Sequence, residues 1–121
     1  LYNFGYKSEK LIPGTDYPMG TPHAMDISFK FNNEQPPKDG EPDQPSFFGG
    51  GRPERFIASH NMAAYWTGFA KTGIPHATDL PHWPAYNLET RPTMRIDTKC
   101  KVIHNRFSQE LAMWREIGRL P

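Results

Sequence analysis

Apolar and polar side chains alternate at the start of the chain, where Tyr2, Phe4 and Tyr6 are separated by Asn3, Gly5 and Lys7. A period of two marks a strand with one face on a core and predicts a strand over Tyr2–Tyr6. Pro13 and Gly14 then punctuate a turn, and Pro18, Gly20 and Pro22 keep the chain irregular as far as His23. A short apolar run follows at Ile27, Phe29 and Phe31. From residue 32 to 52 periodicity disappears. This stretch is rich in Pro, Gly, Asp and Glu, contains Gly49-Gly50-Gly51, and predicts a long surface loop.

The spacing changes at Pro53, which suits the first helical position, with Glu54 favouring the positive end of a helix dipole. A helix is predicted from Pro53 to Thr72, with Phe56, Ala63, Trp66 and Ala70 on one stripe and Met62 and Phe69 beside it. Gly73 followed by Pro75 is a stop signal. Residues 74–92 form another loop, anchored by Trp83 and Tyr86. Thr93–Asp97 and Lys101–His104 predict two short strands around a turn at Thr98–Cys100. A second helix is predicted from Arg106 to Ile117. Its stripe is Phe107, Leu111, Trp114 and Ile117 or Leu120, with Asn105 as a candidate cap and Gly118 and Pro121 ending it.

Composition changes this picture in one respect. With 13 prolines and 10 glycines among 121 residues, and only 36% hydrophobic residues, the chain is dominated by loops. Yet 13% are aromatic, so large side chains must be buried somewhere. The mixture suits a piece of a core better than a whole one. No internal repeat or domain boundary breaks the chain. A net charge of +1, with basic residues scattered, gives no case for nucleic acid or an anionic membrane as partner. No stretch approaches a membrane span, and Leu1 leads into strand-like sequence without a signal-peptide pattern. The single cysteine, Cys100, excludes an internal disulfide. Lys99 and Lys101 would favour its thiolate, but a half-buried free thiol is the preferred reading.

Candidate chemistry centres on the histidines, because imidazole titrates near neutral pH. His76 and His82 stand in a proline-rich loop at no usual metal-ligand spacing, His60 sits within the predicted helix, and His104 ends a short strand. Each is read as surface or packing. His23 differs by standing in an irregular segment just after strand-like sequence, where scaffolds place catalytic side chains. On residue chemistry alone, a structural role for His23 remains open beside a catalytic one. None of the five serines, Ser8, Ser28, Ser46, Ser59 and Ser108, lies in a G-x-S-x-G nucleophile elbow. The glycine runs fit neither a phosphate loop nor a dinucleotide fingerprint. No His precedes Gly49-Gly50-Gly51 as an oxyanion loop would require, so that run is read as a flexible hinge.

Taken together, four segments resemble the type-B carboxylesterase family, which also contains the cholinesterases. Gly20-Thr21-Pro22-His23-Ala24-Met25-Asp26-Ile27 looks like the family's catalytic-histidine loop, although Ser28 and Lys30 make the following run more polar than expected. Ala64 to Pro75 is similar to its C-terminal helix and exit. Leu80-Pro81-His82-Trp83-Pro84-Ala85-Tyr86 matches its W-P-x-Y loop, and Arg91-Pro92-Thr93-Met94 its next strand. The match follows the family's order over most of residues 1–114, with the loop from Gln35 to Arg52 least alike.

The resemblance implies an α/β class: the C-terminal part of one α/β-hydrolase domain over residues 1–121, built of late sheet strands, two covering helices and long loops. It implies His23 as the catalytic base, with Gly20 and Asp26 supporting its loop, Asp26 through backbone hydrogen bonds. Met25 and Phe29 are candidates to line the acyl or alcohol pocket, with core packing as the competing reading. Because the fold orders its triad Ser, then acid, then His, the nucleophile and the Glu or Asp are expected before Leu1. This chain would then need an N-terminal remainder as partner and would be inactive without it. The substrate would be a small carboxylic ester, and the mechanism needs no metal or organic cofactor. A non-catalytic esterase-like adhesion or binding protein is the alternative. An independent binding module is a third, disfavoured by the strand edges such a fragment would expose.

Overall fold

The computed structural model, which describes residues 1–119, turns the alternating start into β1 (Tyr2–Phe4). β1 pairs in parallel with β4 (Thr93–Ile96), Tyr2 opposite Met94 and Phe4 opposite Ile96. β5 (Lys101–Ile103) adds antiparallel to β4, giving a three-stranded sheet in the order β1-β4-β5. A parallel pair needs a long crossover, and two of the three helices of the described residues lie in the chain between β1 and β4. β4 and β5 match the two short strands read from the pattern, around the turn at 98–100.

Three elements are absent from the pattern reading. β2 (Ser8–Leu11) and β3 (Pro18–Gly20) form a separate antiparallel hairpin. The segment after His23 is a short helix, α1 (Met25–Lys30), whose buried Met25 and Phe29 are spaced one helical turn apart.

The long helix α2 spans Glu54–Thr72 and ends at Gly73 in the left-handed conformation, φ 75°. Its buried face is not the expected stripe. Arg55, Ala58, Ser59, Asn61, Met62 and Tyr65 are buried, whereas Phe69 is 56% exposed. Polar residues hold much of that face by local pairing. Ser59 donates to the Asn32 side chain at 3.2 Å, and Asn61 donates to the Asp97 carbonyl at 2.9 Å. The core joins Tyr6, Met25, Phe29, Ala58, Met62, Tyr65, Met94 and Ile96 from the sheet, α1 and α2.

The W-P-x-Y loop is pinned to α2. Tyr65 donates its hydroxyl to the Pro81 carbonyl at 2.6 Å, and its ring meets Trp83 edge-on at 5.2 Å. Gly68 lets the loop approach: a Cβ there would run into the His76 backbone. α3 (Ser108–Glu116) follows Phe107 rather than an Asn105 side-chain cap, and none of its residues is buried. The expectation that both helices cover the sheet therefore holds for α2 and not for α3. Leu120 and Pro121, read as the end of that helix, lie outside the described residues.

The loop from 32 to 52 carries no helix or strand beyond a single bridge between Ser46 and Gly50, and it is tied to α2 and β2. The Arg55 guanidinium, 2% exposed, faces buried Glu34 at 3.5 Å and also pairs with Asp43. Gly49-Gly50-Gly51 is clamped rather than hinged. The Gly51 N–H donates to the Glu9 carboxylate at 2.7 Å, and a Cβ on Gly50, at φ +78°, would strike that same carboxylate.

Candidate functional site

His23 lies in the turn between β3 and α1, with its side chain exposed and no hydrogen-bond partner among the described residues. The turn is built from two left-handed residues. Gly20 has φ +65°, and Ala24, the N-cap of α1, has φ 66°. The second is unusual for a residue with a side chain, and its surroundings must hold it. Pro22 fixes its own φ, and its carbonyl accepts from the Met25 N–H at 3.2 Å. Buried Met25 then begins the helix.

One side chain in this turn reaches across the fold. The Thr21 hydroxyl donates to the Tyr6 carbonyl at 2.6 Å. Tyr6 lies just past the carboxyl end of β1, so the histidine turn sits beside the C-terminal end of a parallel strand. In open α/β sheets that is where ligands bind. Tyr6 is itself anchored at both ends: it is 4% exposed, packs on Phe29 at 5.3 Å, and donates its hydroxyl to the Gly49 carbonyl at 3.0 Å.

The other named residues fall near the turn in different roles. Asp26 accepts from the Tyr2 hydroxyl at 2.9 Å and from Lys30 at 2.7 Å, so side chains rather than the loop backbone are its chief partners. Burial works to raise the Asp26 pKa, but the bonds from Lys30 and Tyr2 outweigh it and hold the carboxyl below its ordinary range. The bond from Asp26 raises the pKa of Lys30. Lys30 also stands over the Tyr2 and Trp66 rings. Met25 and Phe29 are fully buried, with Phe29 against Phe4 at 4.8 Å.

His60, His76, His82 and His104 are all exposed and are not brought to His23 as a cluster. Among the described residues no group of three His, Cys, Asp or Glu side chains is placed to hold a metal, and no helix is long and apolar enough to cross a membrane. Cys100 is a half-buried free thiol whose pKa burial raises, so its thiolate is disfavoured. The Thr21–Tyr6 tie and the Tyr2–Asp26–Lys30 set went unseen in the sequence. Their only linear signal is a threonine two residues before the histidine and an acid–base pair one helical turn apart.

A parallel sheet edge backed by helices, with an exposed histidine at the carboxyl end of a strand, is the arrangement of an α/β-hydrolase fold. Solved structures agree. A PNB esterase superposes with a TM-score of 0.66 at 27% identity, over 92% of this chain and 20% of that one. A carboxylesterase of Geobacillus stearothermophilus gives 0.63 at 30% identity, over 93% and 21%. The chain belongs to the Carboxylesterase family, which it matches over residues 1–114. Among relatives, carboxylesterase 4A of Bos taurus is 28% identical over 119 residues, covering 97% of this chain and 19% of its own length. Para-nitrobenzyl esterase of Bacillus subtilis is 38% identical over 52 residues, or 43% of this chain and 10% of that protein. The chain spans about a fifth or less of the length of these proteins, 12% for carboxylesterase 5A of Canis lupus familiaris.

Proposed function

We propose that this chain is the C-terminal segment of a serine carboxylesterase and supplies its catalytic base, His23. The observation that carries this reading is the exposed imidazole, held on a strained turn at the carboxyl end of β1, in a chain of the carboxylesterase family. The nucleophilic serine and a Glu or Asp partner would come from an upstream part of the same protein. His23 would take the proton from that serine as it attacks an ester carbonyl. It would pass the proton to the departing alcohol, then repeat the transfer with water to release the acid. The acid would hold the imidazole tautomer and stabilise the imidazolium. The substrate class is a small carboxylic ester, and no cofactor enters the cycle. Gly20 and Ala24 support the turn through their left-handed backbone, and Asp26 supports it by fixing the first turns of α1 to β1.

The test is p-nitrophenyl ester hydrolysis by the longer protein that contains this sequence, with His23→Ala beside it. Mass spectrometry under denaturing conditions confirms which polypeptides are present. We expect the variant to lose activity by a factor on the order of 10⁴ or more at unchanged fold. A variant that keeps its activity removes His23 from the mechanism. A longer protein that folds but hydrolyses no ester would instead make it an esterase-like binding protein.

A further inference from the structure

We propose that Thr21 is a positioning residue for His23, acting through its hydrogen bond to the Tyr6 carbonyl; this rests on the catalytic reading of His23 above. Among residues 20–24, the Thr21 hydroxyl is the only side chain bonded to the rest of the described structure. Gly20 and Ala24 contribute no polar group, Pro22 has no donor, and His23 faces outward without a partner. The ends of the turn are fixed in other ways. Gly20 pairs with Ser8 in the hairpin, and Met25 is locked into the core. Between them a loop with two left-handed residues has little else to set its height above the sheet. The bond at 2.6 Å spans 15 residues of sequence and ends on a buried, doubly anchored tyrosine. Thr21 therefore transmits the rigidity of the sheet to the residue that must meet the serine hydroxyl.

Catalysis by a base is sensitive to such placement, because a shift near 1 Å can cost about a hundredfold in rate. Thr21→Val keeps the branched shape and removes only the hydroxyl. In the full protein we expect it to lower kcat for p-nitrophenyl butyrate about tenfold per folded molecule, with KM unchanged. Thr21→Ser, which retains the donor, should restore kcat to within about twofold. Thr21→Ala, read per folded molecule by circular dichroism, takes the place of valine should the valine variant not fold. Equal kcat in wild type and Thr21→Val overturns the proposal, as does an activity loss that only tracks the folded fraction, or failure of serine to rescue. His23→Ala run in parallel separates the two levels. If it is inactive while Thr21→Val is unaffected, only the positioning role falls. If it is active, the catalytic reading falls and takes the positioning role with it.

Discussion

Asp26 is three residues past His23 and shares its carboxylate between a phenol and an ammonium, at 2.9 Å and 2.7 Å. Its side chain and that of Lys30 are 23% and 22% exposed, so the pair is screened only in part. The folded carboxyl titrates below the ordinary value of 3.8. Its contribution to stability is thus complete above pH 3.8 and disappears as pH falls through the lower folded value. Lys30 has the opposite sign: its pKa is raised above 10.5, so its contribution holds below that pH and is lost as pH rises through the folded value. Asp26→Asn should therefore cost about 1 kcal/mol in urea unfolding at pH 7, and much less under strongly acid conditions. A pH-independent cost would mean that the lost acceptor oxygen rather than the charge is what Asn fails to supply.

At the scale of elements, a buried cation joins α2 to the loop from 32 to 52. Arg55 is 2% exposed and has Glu34, itself 6% exposed, as one of two acidic partners. Arg55→Met would keep the bulk and leave the Glu34 carboxylate buried with little more than the Ser28 hydroxyl, at 3.1 Å. Removing one partner of such a pair costs about 3–5 kcal/mol. We expect a loss of that size in urea unfolding, together with proteolytic cleavage within residues 35–52; a loss below about 1 kcal/mol would show the loop to be anchored elsewhere. The same residue explains part of what the linear pattern conceals. Arg55, Ser59 and Asn61 occupy the buried face of α2, so counting apolar positions selects Phe69 and Ala70, which face outward. β1, β4 and β5 are legible because alternation and β-branched residues mark them. α1 is too short to show helical periodicity, and Ala24 enters it through a conformation that no residue other than Gly, Asn or Asp advertises. β2 and β3 carry Ser, Glu, Lys, Pro and Gly, so no alternation announces the hairpin. His23 stands apart from the other histidines by its irregular segment after strand-like sequence, but only the resemblance of its loop favours a catalytic over a structural role. The Thr21–Tyr6 contact that fixes its place is a meeting of residues distant in sequence, which a pattern of near neighbours does not encode.

Over the whole molecule, a sheet edge and several apolar faces are left open. Among the described residues β1 has no strand on its outer side. Beside that edge is a 460 Å³ groove that includes Tyr2, Trp66, Phe69, Trp83 and Tyr86. Trp114 on α3 is 44% exposed, and Phe107 and Ile117 at its two ends are 40% and 57% exposed. An unpaired edge and apolar faces of this kind favour association when nothing covers them. In a chain that acts as one part of a longer α/β-hydrolase, as proposed here, they are the surfaces across which sheet and core continue. The 121-residue polypeptide made alone should then bind a hydrophobic dye such as ANS and elute above its monomer size in size-exclusion chromatography. The longer protein at the same concentration should do neither. A monodisperse, dye-silent 121-residue monomer would mean that these faces need no partner, and would favour a binding module over a segment of an esterase.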